Sequence, residues 1–309
     1  MTTIELTELI KQKANELGFS LVGISDTEPL LDEHDKLTSW ISSGYHYKLK
    51  WLEESVTIRT NPKDVLPNAK SIIVLGVNYY NKVEYSEDKN VGKISKYAII
   101  KDYHKVIKEK LKLLSNHIKT LSPNVNLKYF CDASPIMEKR LAQKAGLGWQ
   151  GKNSILITKK YGSFIFLATM IIDIELVFDK PETDHCKTCN KCITACPTGA
   201  IVDAYKIDVG RCIAYWTNIF KGTEIPTELK GKFKRWIVGC DTCQDVCPYN
   251  KDLATTEEQS FISILEPNLD MLKYNNISEK EFNEIFRETP IIHITPKELI
   301  GNIRFLLEQ

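Results

Sequence analysis

The apolar positions of the chain fall into two rhythms. Ile4, Leu6, Leu9, Ile10, Ala14 and Leu17 keep a helical spacing that stops at Gly18, a residue suited to the turn after a helix. Tyr103 to Leu121 repeats that spacing, with Val106, Ile107, Leu111, Leu114 and Ile118 along one face. Between them Leu21-Val-Gly-Ile reads as a short strand. Ser71 to Tyr79 is nearly continuous in apolar residues, the pattern of a strand buried on both faces. Asn126 to Phe130 reads as a further strand running into Cys131-Asp132. A helix is expected from Pro135 to Ala145, with Ser134 as its cap and Pro135 at its first position. Ser154–Thr158 and Ser163–Ile172 are expected to pair as a hairpin. Asp179-Lys-Pro-Glu-Thr-Asp184 has the composition of a linker, and a last helix is expected over Pro296–Glu308. The expected class is α+β: an α/β domain over 1–178, a cysteine-rich domain over 179–255 and a helical segment over 256–309.

Composition narrows the function classes. The 309 residues fit roughly two domains of about 150. With 43% hydrophobic and 26% charged residues, the chain is neither disordered nor fibrous. No apolar run approaches the roughly 18 residues of a membrane span. Met1-Thr-Thr-Ile-Glu is not the start of a secretory signal, so a cytoplasmic protein is expected. The net charge of +1 gives no hint of a nucleic-acid partner by itself. The nine cysteines are an odd number in a chain expected in the cytoplasm, which argues against a disulfide framework.

Eight of those cysteines lie between Cys186 and Cys247. The run Cys186-Lys-Thr-Cys189-Asn-Lys-Cys192-Ile-Thr-Ala-Cys196-Pro197 is C-x2-C-x2-C-x3-C-P, the bacterial ferredoxin spacing. In such runs three close thiolates clasp one 4Fe–4S cube and the fourth ligates the other cube. A second run, Cys240-Asp-Thr-Cys243-Gln-Asp-Val-Cys247-Pro248, lacks one close cysteine, and Cys212 supplies it. The crossed assignment leaves no remainder: Cys186, Cys189, Cys192 and Cys247 for one cube; Cys196, Cys212, Cys240 and Cys243 for the other. Structural zinc needs neither the third close cysteine nor the prolines, and the single C-x3-C-x2-C of a radical-SAM cluster is not found.

Two cubes pass electrons singly and do no organic chemistry themselves, so the first domain is expected to hold an electron acceptor. It has no G-x-G-x-x-G fingerprint for a nucleotide cofactor. Several stretches carry a resemblance instead. They are Ile58-Arg59-Thr-Asn-Pro62, Leu66-Pro67-Asn-Ala-Lys-Ser71, Lys101-Asp-Tyr-His104, Asp132-Ala-Ser-Pro135, Glu138-Lys139-Arg140 and Gly146-Leu-Gly148-Trp149-Gln-Gly151-Lys152-Asn153, with Gly239-Cys-Asp241-Thr-Cys in the cysteine array. In these the chain resembles the epoxyqueuosine reductases, cobalamin-dependent iron–sulfur enzymes of queuosine biosynthesis in tRNA, from its N-terminus to about residue 290.

The resemblance implies a reductive-dehalogenase-like α/β domain that binds cobalamin against the cluster domain. It implies reduction of an epoxide on the cyclopentane ring, where two electrons and two protons give an alkene and water. Reduced cobalt attacks or reduces the epoxide carbon while an acid protonates the departing oxygen. That acid is Asp132 by position, with a pKa expected to be raised by desolvation. Arg59, Lys139, Leu156, Leu167 and Asp241 match positions placed along the cofactor; the cobalt-binding D-x-H-x-x-G motif is absent, as in the family. Cys131 reads as a small buried side chain, and Tyr103 and His104 as lining of the substrate pocket or structural residues.

A tRNA partner requires cationic surface. Lys101, Lys105, Lys108, Lys110 and Lys112 crowd one helix. Lys221, Lys230, Lys232, Lys234 and Arg235 crowd the Cys212–Cys240 loop among Tyr215, Trp216, Phe220, Phe233 and Trp236, an arrangement suited to stacking single-stranded bases. Lys221, Lys232, Lys234 and Arg235 are the expected tRNA contacts. Many family members continue into helical repeats that help clasp tRNA; a short form without the full repeat domain is expected here. A flavodoxin or ferredoxin reductant and a monomeric state are expected. The alternatives are a cobalamin-dependent reductase of another substrate, such as an organohalide, and a non-enzymatic electron-transfer ferredoxin.

Overall fold

The structure is a computed structural model that describes residues 1–132, 135–222 and 224–308. Its strands in chain order are β1 (Leu21–Ser25), β2 (Ser71–Asn78), β3 (Val91–Ile94), β4 (Leu127–Phe130), β5 (Trp149–Gln150), β6 (Leu156–Ile157), β7 (Ile165–Ile172), β8 (Ile201–Asp203), β9 (Lys206–Ile207), β10 (Trp236–Val238) and β11 (Asn268–Asp270). Four of them form an antiparallel sheet in the order β1-β2-β7-β4. Every residue of β2 is buried, because the sheet is covered on both faces. Ile73, Leu75 and Val77 pack with the helices Thr3–Glu16 and Tyr103–Leu121. Their alternates Ile72 and Val74 pack with Leu141, Ala142 and Ala145 of the helix Glu138–Lys144. The strand period of two sends consecutive side chains to different cores.

Both long helices lie where the apolar spacing puts them, and Gly18 takes a left-handed φ of 83° after the first. Two expectations need correction. The segment after Asp132 becomes helical at Glu138, not at Pro135, and the expected cap Ser134 lies outside the described residues. The hairpin of 154–158 with 163–172 does not form beyond a single Thr158–Gly162 bridge. Leu156–Ile157 pairs with β5, while β7 enters the main sheet between β2 and β4. β2 pairs along the whole of β7 and β4 along Thr169–Ile172, so the strand is committed to the main sheet.

The three segments of the sequence do not separate cleanly in space. β3 from the first is the central strand of a second sheet, parallel to β10 from the cysteine-rich segment and antiparallel to β11 from the C-terminal one. The last helix, Pro296–Leu307, anchors this arrangement. Its buried Asn302 donates to the carbonyls of Thr217 and Ile237, both at 3.1 Å. Among the described residues no helix is long and apolar enough to cross a membrane.

Candidate active site and cluster sites

A column of four rings builds the candidate acid site. Tyr79 stacks on Phe166 at 4.1 Å, Phe166 on Tyr103 at 4.0 Å, and Tyr103 on His104 at 4.0 Å. Tyr103 and His104 open the helix Tyr103–Leu121, whose cap is Asp102; the Asp102 carboxylate accepts from the His104 backbone N–H. The column ends over Asp132, which follows β4 with a left-handed φ of 64°. Asp132 Oδ2 accepts from the Tyr103 hydroxyl at 2.6 Å and faces His104 Nε2 at 3.3 Å. His104 Nδ1 lies 2.8 Å from Asp102, and His293 Nε2 lies 3.1 Å from the other Asp102 oxygen.

These contacts reverse one expectation. Asp132 is held below the usual carboxylate range, first by His104 and then, against the opposing effect of burial, by Tyr103. Burial works against a charged His104, yet its two carboxylate neighbours push it up to about 9. The carboxyl raised beside Asp132 is Glu138, pushed up to about 8 by burial and by that neighbour's charge.

Lys139 lies beside Asp132 and Glu138. Its side chain is accessible, yet burial pulls its ammonium pKa down, and it sits among the charges of Asp132, Glu138 and Cys243. Arg59 belongs to the same neighbourhood through Glu138; its Nε donates to Ser55 Oγ at 2.8 Å and its guanidinium lies over Trp51. Leu167 is half-buried, at the end of β7 where the strand emerges from the core. Two further expected cofactor residues are buried. Leu156 is 3% exposed and belongs to the second core. Asp241, 2% exposed, spends its carboxylate on the Lys96 backbone N–H at 2.8 Å and on Gln244 at 3.3 Å.

The eight clustered cysteines gather in two sets. Cys186, Cys189, Cys192 and Cys247 line one cavity of about 40 Å³. Cys212 has Cys196 as its charged neighbour, and Cys243 has Cys240 and Cys212. No three of these sulfurs are within 4.8 Å of one another among the described residues. A single zinc, with bonds of about 2.3 Å, draws its four sulfurs to roughly 3.8 Å apart. Burial pushes the thiols of Cys186, Cys192, Cys212, Cys243 and Cys247 up, and that of Cys240 to about 12, so the thiolates need a cationic centre to hold their charge. A sulfur-rich cluster also suits Trp149. The indoles of Trp40, Trp216 and Trp236 donate to protein oxygens. The buried Trp149 Nε1 has no partner among the described residues, and it faces Cys186.

The loop around Trp149 joins the two sites to the first domain. Lys152 Nζ donates to the Lys187 carbonyl at 2.7 Å and to Asn190 at 2.9 Å, beside the first set. Asn153 reaches the Cys243 carbonyl at 3.5 Å, beside the second. Gly148 has to be a glycine because any Cβ there would run into the Ile157 carbonyl.

The basic loop departs from expectation. Tyr215, Trp216, Phe233 and Trp236 are each at most 4% exposed, so they pack the core and offer no stacking surface; of the five, Phe220 stays half-buried. Lys221 donates to the His293 carbonyl at 2.9 Å, and Arg235 donates to the carbonyls of Asp88 and Val91. Lys232 and Lys234 remain exposed. On the long helix Lys110 is tied to Glu258 at 2.6 Å. Asp102, Glu138 and His293 were not singled out by the sequence reading. Asp102 had a signal as the cap before a helix; His293, 191 residues further on, had none.

Two cysteine sets near a cluster of ionisable side chains around Asp132 point to an iron–sulfur oxidoreductase. The family model "4Fe-4S double cluster binding domain" matches residues 185–250, and "Epoxyqueuosine reductase QueG, DUF1730" matches residues 59–133. An epoxyqueuosine reductase from Cyclobacterium marinum is 39% identical over 99% of this chain and 98% of its own. One from Escherichia coli is 40% identical over 83% and 68%. A crystal structure of an epoxyqueuosine reductase with an epoxyqueuosine-modified tRNA-Tyr stem loop superimposes with a TM-score of 0.93 at 30% identity, over 99% of this chain and 82% of that one. The Bacillus subtilis enzyme, solved with its catalytic aspartate loop swung out of the active site, gives 0.88 at 30% identity, over 99% and 82%. The chain belongs to the epoxyqueuosine reductase family, and it is an oxidoreductase of that type.

Proposed function

We propose that the chain converts epoxyqueuosine to queuosine in tRNA, with cobalamin in the cleft beside Asp132 and electrons arriving through two 4Fe–4S clusters on the crossed cysteine sets. The observation that carries this reading is the position of Lys139. Its ammonium feels the charges of both Asp132, the candidate acid, and Cys243 of the second set. Proton supply and electron supply therefore meet in one cleft. The solved relative with a modified stem loop supports the substrate.

The residues of the cleft suit a large amide-bearing corrinoid. Arg59 and Lys139 offer donors, Leu167 offers an apolar edge, and the buried Tyr97 hydroxyl and Glu138 Oε1 are polar atoms without partners among the described residues. When bound, cobalamin supplies a strongly reducing centre that the clusters refill one electron at a time. The protein's own part is proton delivery. Two electrons and two protons convert the epoxide to an alkene and water, and Asp132 conveys a proton to the oxygen as its bond to carbon breaks. Lys232 and Lys234 give the exposed charge for a phosphate backbone. A flavodoxin or ferredoxin is the reductant this reading implies, with the protein acting as a cytoplasmic monomer.

Reconstituting the clusters, titrating cobalamin by absorbance and assaying epoxyqueuosine tRNA by nucleoside mass spectrometry tests the reading. Cobalamin binding with queuosine formation is expected. Binding without turnover of the tRNA points to another substrate, and absence of binding points to an electron-transfer protein.

A further inference from the structure

We propose that His104, fixed between Asp102 and His293, stores the proton that Asp132 conveys to the substrate oxygen, so that the C-terminal segment is part of the proton apparatus. This rests on the reading of Asp132 as the group that meets the substrate.

The argument begins at Asp102, whose carboxylate is 2% exposed. One of its oxygens faces His104 Nδ1 at 2.8 Å and the His104 backbone N–H at 3.1 Å. The other faces His293 Nε2 at 3.1 Å. Its own backbone N–H donates to the Glu288 carbonyl at 2.8 Å. A buried carboxylate with donors on both oxygens stays ionised, and it fixes the proton on His104 Nδ1. His104 Nε2 then points at Asp132 Oδ2, 3.3 Å away. The remaining groups about the pair are Tyr103, stacked on His104 and bonded to Asp132, with Tyr97, Cys131, Glu138 and Lys139 also near Asp132.

An imidazole flanked by two carboxylates takes both protons, and His104 is accordingly raised to about 9 while Asp132 is lowered. At neutral pH the transferable proton therefore sits on His104. When the epoxide C–O bond breaks, its electron pair goes to oxygen, and the alkoxide formed is a far stronger base than imidazole. The oxygen takes a proton by way of Asp132, and Asp132 takes the Nε2 proton of His104. His104 is left neutral, with Nδ1–H still on Asp102, and Nε2 regains a proton from water; its side chain is 32% exposed. His293 touches neither substrate nor Asp132. It is a positioning residue, held by the Pro290–His293 turn, and its carbonyl accepts from Lys221.

The test uses reconstituted holoenzyme. Its kcat should stay level through neutral pH and fall with an apparent pKa near 9. In H104Q, which keeps a donor toward Asp132 but stores no proton, the fall should move to acid pH. At pH 8 kcat should drop at least tenfold, with KM for tRNA unchanged and partial rescue by added imidazole. H293A should lower kcat without altering KM, and H293Q, which restores a donor, should recover it. An H104Q profile matching wild type, or a loss equal at every pH, overturns the proton store; an H293A enzyme with wild-type kcat overturns the part given to the C-terminal segment. A second readout needs no cofactor: nitrogen NMR of labelled histidine, assigned with H104Q, should show both His104 nitrogens protonated at pH 8, and a neutral ring there overturns the inference. D132N separates the two readings. Turnover by D132N defeats Asp132 as the conveying group, whereas an inactive D132N beside a wild-type H104Q profile defeats only His104.

Discussion

The Tyr103 hydroxyl donates to Asp132 Oδ2 at 2.6 Å while its ring lies flat on Phe166, 9° from parallel. One residue thus couples the apolar column to the candidate acid, and its two functions are separable. Tyr103→Phe keeps the ring and removes the hydrogen bond. Asp132 then loses one of the groups that hold its pKa down, so its pKa rises. Turnover should fall about tenfold, the worth of roughly 1.5 kcal/mol for a bond to a charged acceptor. Thermal unfolding should stay close to wild type. A drop in melting temperature comparable to a core deletion would show the hydroxyl to be structural.

The crossed cysteine sets predict paired phenotypes. Cys186→Ser and Cys247→Ser should leave the same surviving cluster spectrum, although 61 residues separate them in sequence and Cys247 closes the second run. Cys196→Ser and Cys212→Ser should leave the other. Electron paramagnetic resonance of the four reduced variants decides this. A Cys196→Ser spectrum matching that of Cys186→Ser contradicts the crossing.

The buried Trp149 indole N–H faces the Cys186 site and has no other partner among the described residues. A hydrogen bond to cluster sulfur stabilises the more negative, reduced state. Trp149→Phe should therefore lower the midpoint potential of that cluster alone. A bond of about 1 kcal/mol corresponds to about 40 mV for a one-electron couple. Potentiometric titration reads both clusters, and an unmoved midpoint rules the contact out.

Lys96 is 5% exposed and pairs with Asp245 at 2.7 Å and Asp241 at 3.7 Å. The two carboxylates keep its ammonium charged despite burial. Lys96→Met leaves Asp241 buried without its cation and should cost about 3–5 kcal/mol. Burial already raises Asp241 to about 6 in the native protein, above its ordinary value. A raised carboxyl destabilises the fold above its ordinary range, and protonation relieves that cost. The variant should therefore regain stability relative to wild type as pH falls from 8 to 5. Chemical denaturation at both values checks the magnitude and the sign.

His104 makes the opposite contribution. Its folded pKa, about 9, lies above the ordinary 6.5, so it stabilises the fold fully below about pH 6.5. The gain disappears as pH rises through 9. Melting temperature should decline across that window in wild type, and the decline should be shallower in His104→Gln.

Local order was legible in the sequence. Helical spacing placed Tyr103–Leu121 to the residue, and unbroken apolarity placed β2 between two cores, because each signal is a repeat that neighbouring residues impose on one another. The cysteine spacing sufficed to group the sets that the fold gathers, since ligands three residues apart already share one loop. Asp132 was legible as a candidate acid, though not its charge. A carboxyl's pKa depends on what surrounds it, and here the surroundings come from the cap of a distant helix and from a C-terminal turn. The aromatic residues of the basic loop were misread for the same reason, because composition records a ring and not whether a core encloses it. β7 abandoned its local hairpin once two sheet neighbours were available. Spacing along the chain thus indicated the long helices, the central strand and the grouping of the cysteines. Contacts between segments far apart in sequence decided which carboxyl is ionised, where the proton rests and how the three segments share one sheet, because burial and charge act through space.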